Sequence, residues 1–89
     1  MNNTEARQAM IGLAAELLRV LGTTSYLVSR FSVTIDNDSD TLEVRLSKHR
    51  GQHIFHAISA LECHQAILPI NELARVIAAR LIDGLERLP

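Results

Sequence analysis

Residues 31–47, with the sequence FSVTIDNDSDTLEVRLS, decide the fold of this chain. Apolar and polar residues alternate in both halves of the stretch, and the five polar residues 36–40 separate the halves. Alternation with a period of two places the apolar side chains on one face of a strand and the polar ones on the other. The stretch therefore predicts an antiparallel hairpin with one buried face and one hydrated face. Six residues form the predicted buried face: Phe31, Val33, Ile35, Leu42, Val44 and Leu46.

A third strand is predicted over residues 53–59. Unlike the hairpin, this segment has apolar residues on both faces, with Ile54 and Ile58 on one and Phe55 and Ala57 on the other. A strand of this kind is either an inner strand of the sheet or a strand that pairs with a partner subunit. The sequence leaves both interpretations open.

Helices are predicted at both ends of the chain, over residues 4–22 and 71–88, because apolar residues recur there every three or four positions. These residues are Met10, Leu13, Leu17 and Leu21 in the first helix, and Leu73, Val76, Ile77, Leu81, Leu85 and Leu88 in the last. Gly22 is expected to end the first helix in a left-handed conformation. Residues 60–68 fit either a strand or a short helix that ends before Pro69, because so short an apolar run matches both periods.

The predicted fold class is α+β, with two layers and the order α-β-β-β-α. The N- and C-terminal helices are expected to pack on one face of an antiparallel sheet. Residues 1–89 are expected to form a single domain, since a chain of this length is too short to divide into two.

The composition narrows the classes of function. An apolar fraction of 47% is typical of a globular chain, and a net charge of −1 creates no long-range field that would attract nucleic acid or an anionic membrane. The single cysteine, Cys63, excludes an internal disulfide. The N-terminus lacks the pattern of a signal peptide, and no apolar run approaches the roughly 20 residues of a membrane span. The expected location is the cytoplasm, with no contact with a membrane.

Four histidines lie near Cys63 in the sequence, but their spacing does not favour a metal site. They are His49, His53, His56 and His64. Zinc requires about four ligands that converge in a tetrahedron, whereas His53 and His56 point to opposite faces of a strand. The sequence therefore predicts no metal site.

Two further patterns resemble functional motifs only in part. Asp36, Asp38 and Asp40 have the spacing that opens a calcium loop, but Thr41 replaces the glycine at the sixth position and Ser47 the glutamate at the twelfth. The cluster is thus predicted to be a hairpin turn. Cys63 and His64 are adjacent in sequence, which is unsuitable for a nucleophile and its base, because neighbouring side chains rarely point at each other. We expect no catalytic residues, no cofactor and no enzymatic activity.

The order α-β-β-β-α resembles that of the double-stranded-RNA-binding domain, and this resemblance implies nucleic-acid binding as an alternative function. That family needs a basic cluster at the start of its last helix to hold phosphates. Here the corresponding segment begins Ile70-Asn71-Glu72-Leu73, and Arg75 is its first basic residue. A modest basic patch on the polar sheet face is predicted from Arg30, Arg45, Lys48 and Arg50. Base stacking is not expected, because that face is predicted to lack aromatic residues.

The sequence contains more apolar surface than one small domain readily covers. The apolar stripe of the first helix is widened by Ile11, Ala14 and Leu18, and the third strand adds Phe55. Such a surplus is typical of an interface, and the commonest closed arrangement is a twofold homodimer. The other interpretation is that residues 60–70 fold back and cover this surface.

We therefore expect a homodimer whose interface includes the first helix at Leu18 or the third strand at Phe55. The polar sheet face, with Arg30, Glu43 and Arg45, would remain free for a protein partner of unknown identity. The predicted function is that of a small non-enzymatic protein-interaction module, acting as a regulator, inhibitor or accessory protein of the type encoded by phages and mobile elements. A nucleic-acid-binding regulator is the alternative.

Overall fold

A computed structural model describes residues 3–24, 30–48 and 51–88 of the chain. It confirms the α+β class and the predicted order of elements, and it shows that residues 60–65 are helical. The elements are α1 (Asn3–Thr23), β1 (Arg30–Asp36), β2 (Thr41–Ser47), β3 (His53–Ser59), α2 (Ala60–Gln65) and α3 (Ile70–Glu86).

The three strands form one antiparallel sheet in the order β1-β2-β3. Within the described residues β3 is thus an edge strand, and the prediction that it could be an inner strand is wrong. Its register places Ile54 opposite Leu46 and Ile58 opposite Leu42 on the helix side of the sheet. Phe55 and Ala57 lie on the other side, because side chains alternate along a strand.

The core lies between the sheet and the helices. The β2 residues Leu42, Val44 and Leu46 are fully buried, and the inward-facing residues of β1 are partly buried against the same core. The predicted buried face of the hairpin is therefore confirmed. The helices contribute the largest number of core side chains: Ala6, Met10, Leu13, Ala14, Leu17 and Leu21 from α1, and Ala74, Ile77, Ala78, Leu81 and Leu85 from α3.

The aspartate cluster forms the predicted hairpin turn and ties it to α1. Asp36 Oδ1 accepts a hydrogen bond from the backbone N–H of Asp38 at 2.9 Å. Asp40 adopts a φ of 50°, a left-handed conformation that aspartate tolerates better than most residues. Its Oδ1 accepts a hydrogen bond from Arg7 Nε at 2.8 Å, so the turn is held against the first helix.

The helix ends differ from the predictions in one respect. Gly22 lies inside α1, which continues to Thr23, so the prediction that Gly22 ends the helix is wrong. The start of α2 has a capping box, in which the Ser59 hydroxyl accepts from the N–H of Glu62 and the Glu62 carboxylate accepts from the N–H of Ser59. In α3, Gly84 lies over β3, where an added Cβ would be 2.7 Å from Ile54 Cδ1. The last helix thus approaches the edge strand closely at this point.

Candidate protein-interaction surface

The edge strand β3 borders an apolar cleft, which we call the β3–α3 cleft. Its volume is about 300 Å³, and seven of its nine lining residues are apolar. They are Ile54, Phe55 and Ile58 from β3, and Leu73, Val76, Ile77 and Leu81 from α3; His56 and Arg80 are the polar members. An edge strand directs alternate backbone N–H and C=O groups away from its own sheet, so apolar side chains and backbone hydrogen-bonding groups adjoin here.

Phe55 lies on the polar face of the sheet, directly opposite Arg45 of β2. The side chain is 55% exposed, and the Arg45 guanidinium carbon lies 5.8 Å from the centre of its ring. Arg45 also pairs with Glu43, whose Oε1 is 3.2 Å from Arg45 Nη2. The prediction that this face lacks aromatic residues is therefore wrong: Phe55 and Arg45 are cross-strand partners and must face the same way.

The polar face has an ordered arrangement of charge. On this face the residues form rows that run across the three strands. The first row contains Arg30, Ser47 and His53, and the second contains Ser32, Arg45 and Phe55. The following rows are Thr34, Glu43 and Ala57, and then Asp36, Thr41 and Ser59. The face is thus basic at one end and acidic at the other.

A second concave site lies at the basic end of this face, and we call it the basic cleft. Its volume is about 340 Å³. Its lining residues are Arg30, Phe31, Ser32, Arg45, Ser47, Gly51 and His53. Lys48, which was predicted to join the basic patch, instead directs its Nζ to the carbonyl oxygen of Leu88 at 3.4 Å. Arg50, the fourth predicted member, lies outside the described residues.

The other predicted interface residue, Leu18, lies on α1 in the helix layer. It is 50% exposed, and Ile11, its neighbour on the same helix surface, is 56% exposed. Ala14, by contrast, is buried. Residues 60–70 do pack against α1 through α2, but they leave Leu18 and Phe55 half exposed. The structure therefore places Phe55 with Arg30, Glu43 and Arg45 on the sheet and leaves Leu18 elsewhere.

Among the described residues considered for chemistry, Cys63 is buried and His64 lies at the surface near Glu5. Burial raises the pKa of the Cys63 thiol to about 11, and the neighbouring negative charge of Glu62 adds to the effect. A thiol with so high a pKa stays protonated at neutral pH and is a poor nucleophile. His64 Nε2 lies 3.8 Å from Glu5 Oε2 at the surface. Among the described residues, no group of three or more histidine, cysteine, aspartate or glutamate side chains is placed to hold a metal ion; His49 lies outside them.

Across residues 3–24, 30–48 and 51–88, no helix combines the length and the apolar character that crossing a membrane requires. No protein-family model, no curated protein and no solved structure matches the chain.

Proposed function

We propose that the protein is a non-enzymatic protein-interaction module that acts as a homodimer joined along β3. In this arrangement the polar face of the sheet, which points away from the helices, stays available to a protein partner. The module acts as a regulator, inhibitor or accessory protein. One observation supports the proposal above the others. Within the described residues β3 is an edge strand; it exposes Phe55 and Ala57 on its polar face and adjoins the β3–α3 cleft on its helix side.

The residues of β3 offer little protection against pairing. Edge strands in natural proteins are commonly blocked by lysine, proline, a bulge or an inward-pointing charge. The sequence of β3, HIFHAIS, contains no lysine, proline or acidic residue. The opposite edge, β1, begins with Arg30 and ends with Asp36. Of the two edges, β3 is therefore the better site for strand addition.

The β3 sequence is also complementary to itself. Two antiparallel copies related by a twofold axis pair along all seven residues 53–59 when the axis passes through the middle residue, His56. Ile54 then lies opposite Ile58 of the second copy on the helix side. On the open side, Phe55 lies opposite Ala57 of the second copy, a large side chain facing a small one. Cross-strand pairs of this kind stabilise a sheet, and the helices of both copies remain on the same side.

Pairing in this register also covers the β3–α3 cleft, because the two clefts flank the twofold axis. Each square ångström of apolar surface removed from water contributes roughly 25 cal/mol. The apolar residues Ile54, Val76 and Leu73 at the margin of the cleft would be the main contributors. Hydrogen bonds between the two strands add to this burial.

Light scattering after gel filtration tests the dimer. At pH 8 and micromolar concentrations we expect a mass of twice the chain's 9.9 kDa. His56→Lys should give a folded monomer, because it places two ammonium groups opposite each other on the axis. Phe55→Lys should weaken association for a different reason, because it replaces the apolar contact with Ala57 of the second copy by a charged side chain.

Leu18→Lys is the matched control, since Leu18 is exposed to almost the same extent as Phe55 but lies on α1. It should leave the dimer mass unchanged. If Leu18→Lys produces the monomer while His56→Lys remains a dimer, the interface is on α1 and the β3 assignment is wrong. A wild-type protein that is monomeric at micromolar concentrations would reject the homodimer.

The open face is tested by co-purification from the native host. Arg45→Glu should abolish capture of any partner that wild type retains, because it reverses the charge at the centre of the face. Arg75→Glu makes the same change on an exposed arginine of α3 and should not. Equal loss in both variants would show that the partner does not bind the sheet face.

A nucleic-acid-binding regulator is the second candidate, and the position of Phe55 beside Arg45 favours it. An exposed aromatic ring next to a guanidinium can stack on a base. Against it, the last helix begins with Ile70 and has Glu72 in its first turn, where a double-stranded-RNA-binding domain would present basic residues. Fluorescence anisotropy with labelled single- and double-stranded RNA decides between the two. Submicromolar, salt-dependent binding that Phe55→Ala abolishes would support this candidate.

A further inference from the structure

We propose that the basic cleft is a binding site for a phosphate group, either free or carried on a small phosphate ester. The cleft forms within one copy of the chain, and His53 is the lining residue that it shares with the β3 edge. The proposal therefore holds whether the protein is a monomer or a dimer.

Basic side chains approach the cleft from all three strands. Arg30 on β1 and His53 on β3 lie in one row, two strand spacings or about 10 Å apart. Arg45 on β2 lies in the adjacent row between them. A volume of about 340 Å³ is sufficient for a phosphate group and part of a small substituent. The three side chains thus surround a space that suits a compact anion.

The chemistry of the lining residues matches a phosphate. A guanidinium presents several N–H donors in a planar fork that fits two phosphate oxygens, and the cleft has two such groups. The Ser32 hydroxyl adds a donor from the row of Arg45. His53 completes the lining from β3, and its Nδ1 lies 3.3 Å from the Gly51 carbonyl oxygen.

The electrostatics favour an anion at this end of the face. No carboxylate belongs to the described residues that line the cleft. In the next row of the face, Glu43 interacts with Arg45 across 3.2 Å, but both side chains are about 40% or more exposed, and an exposed pair of this kind is weak. Asp36 is six residues along β1 from Arg30, about 20 Å away. A doubly charged phosphate can therefore compete with Glu43 for Arg45.

A small ester fits the surroundings better than a polynucleotide. A nucleic acid running along the face would leave the basic rows and meet Glu43 and Asp36, and a polyanion is bound by many dispersed basic residues. Phe55, beside Arg45, offers an apolar surface to the organic group of an ester. One phosphate with one adjoining apolar group is the ligand that these residues accommodate.

Nuclear magnetic resonance titration of the whole chain tests the assignment, with inorganic phosphate and phenyl phosphate as probes. Ionic strength is kept constant with sodium chloride, and the backbone amides of residues 32, 47 and 51 are followed. We expect saturable shifts at these amides with both probes. Tighter binding of phenyl phosphate would identify an ester as the source, and equal affinity would identify the free ion.

Variants show whether the cleft residues hold the ligand. Arg30→Gln and Arg45→Gln should each weaken binding at least fivefold, whereas the control Arg75→Gln on α3 should change it less than twofold. Thermal melting establishes that each variant is folded. Shifts that do not saturate, or that persist unchanged in Arg30→Gln, would overturn the proposal. Tighter binding of an unphosphorylated thymidine oligonucleotide, lost in the same variants, would also overturn it and assign the cleft to a nucleic-acid backbone.

Discussion

Ile77→Ala and Leu46→Ala remove the same number of carbon atoms from opposite layers of one core. Ile77 is 6% exposed on α3 and lines the β3–α3 cleft. Leu46 is 0% exposed on the central strand β2. Leu18→Ala, on the half-exposed surface of α1, is the control. The three variants therefore compare the free energy of unfolding lost at an enclosed core position, at the margin of the core and at the surface.

The expected costs follow from burial and from the space that each substitution leaves. Each variant loses three carbons, and at about 0.8 kcal/mol per buried methylene the transfer part is about 2.4 kcal/mol for a buried site. A closed cavity adds to this in proportion to its volume, whereas space that opens to an existing cleft adds little. We expect losses of about 4 kcal/mol for Leu46→Ala and about 2.5 kcal/mol for Ile77→Ala. Leu18→Ala should cost less than about 1 kcal/mol, because half of its surface is already hydrated and alanine favours a helix.

Urea unfolding followed by circular dichroism measures these free energies, with all proteins at one concentration. A repeat at tenfold higher concentration adds a test of association. If the β3 edges pair, the cleft is covered, and the cost of Ile77→Ala should rise toward that of Leu46→Ala. A loss below about 1 kcal/mol for Ile77→Ala, or a smaller loss for Leu46→Ala than for Ile77→Ala, would refute the packing of these two side chains in one core.

Four further predictions concern local features. Gly12→Ala should stabilise the chain by up to about 1 kcal/mol, because an added Cβ would be at an ordinary contact distance of 3.9 Å from Ile70 Cγ2; thermal melting measures the gain. Ser59→Ala should cost about 1 kcal/mol by removing the capping box of α2, whereas Ser59→Asp should retain most of the stability. The folded Cys63 thiol keeps its proton up to a pKa of about 11, higher than in the unfolded chain, so stability should fall as the pH rises from 9 toward 11. Cys63→Ala should lose that part of the pH dependence in parallel urea titrations. Excess chelator should leave the melting temperature unchanged, and a fall of several degrees would reveal a structural metal.

The hairpin could be predicted from the sequence because one of its faces is hydrated. Polar residues such as Ser32 and Glu43 alternate with core residues. That alternation indicates both that the segment is a strand and which of its faces is buried. The terminal helices were predictable for a similar reason, since their apolar stripes have the period of a helix. Boundaries differ by one or two residues from those observed.

The position of β3 could not be predicted in the same way. Apolar residues on both faces are typical of an inner strand and of a strand at an interface. The sheet order distinguishes the two, since β2 is the one strand that pairs with β3 among the described residues. The helix α2 was equally ambiguous over so few residues, although the Ser59 and Glu62 pair is a sequence signal for its capping box. The prediction for Gly22 was wrong because glycine also occurs inside helices, where it costs about 1 kcal/mol relative to alanine.

The sequence predicts that Phe55 lies on the opposite face of the strand from Ile54 and Ile58, but it does not indicate which face meets the helices. The structure places Ile54 and Ile58 on the helix side of the sheet. The facing of Phe55 toward Arg45 follows from that alternation once β2 and β3 are paired. The basic cleft was not predictable, because it depends on the alignment of Arg30, Arg45 and His53 across three strands far apart in sequence.

The same register constrains what a partner of the proposed dimer would meet. Pairing about His56 brings Ser59 of the second copy beside His53, so the row of Arg30 continues into the row that ends with Asp36 of the second copy. The two copies together would form a six-stranded sheet with one continuous polar face. Each end of that face would then have a basic half from one copy and an acidic half from the other. A protein that binds this face must itself present both charges, arranged with twofold symmetry or bound at one end only. A partner with a single-sign charged surface is therefore a poor match for the dimer, although it would match the basic end of a monomer.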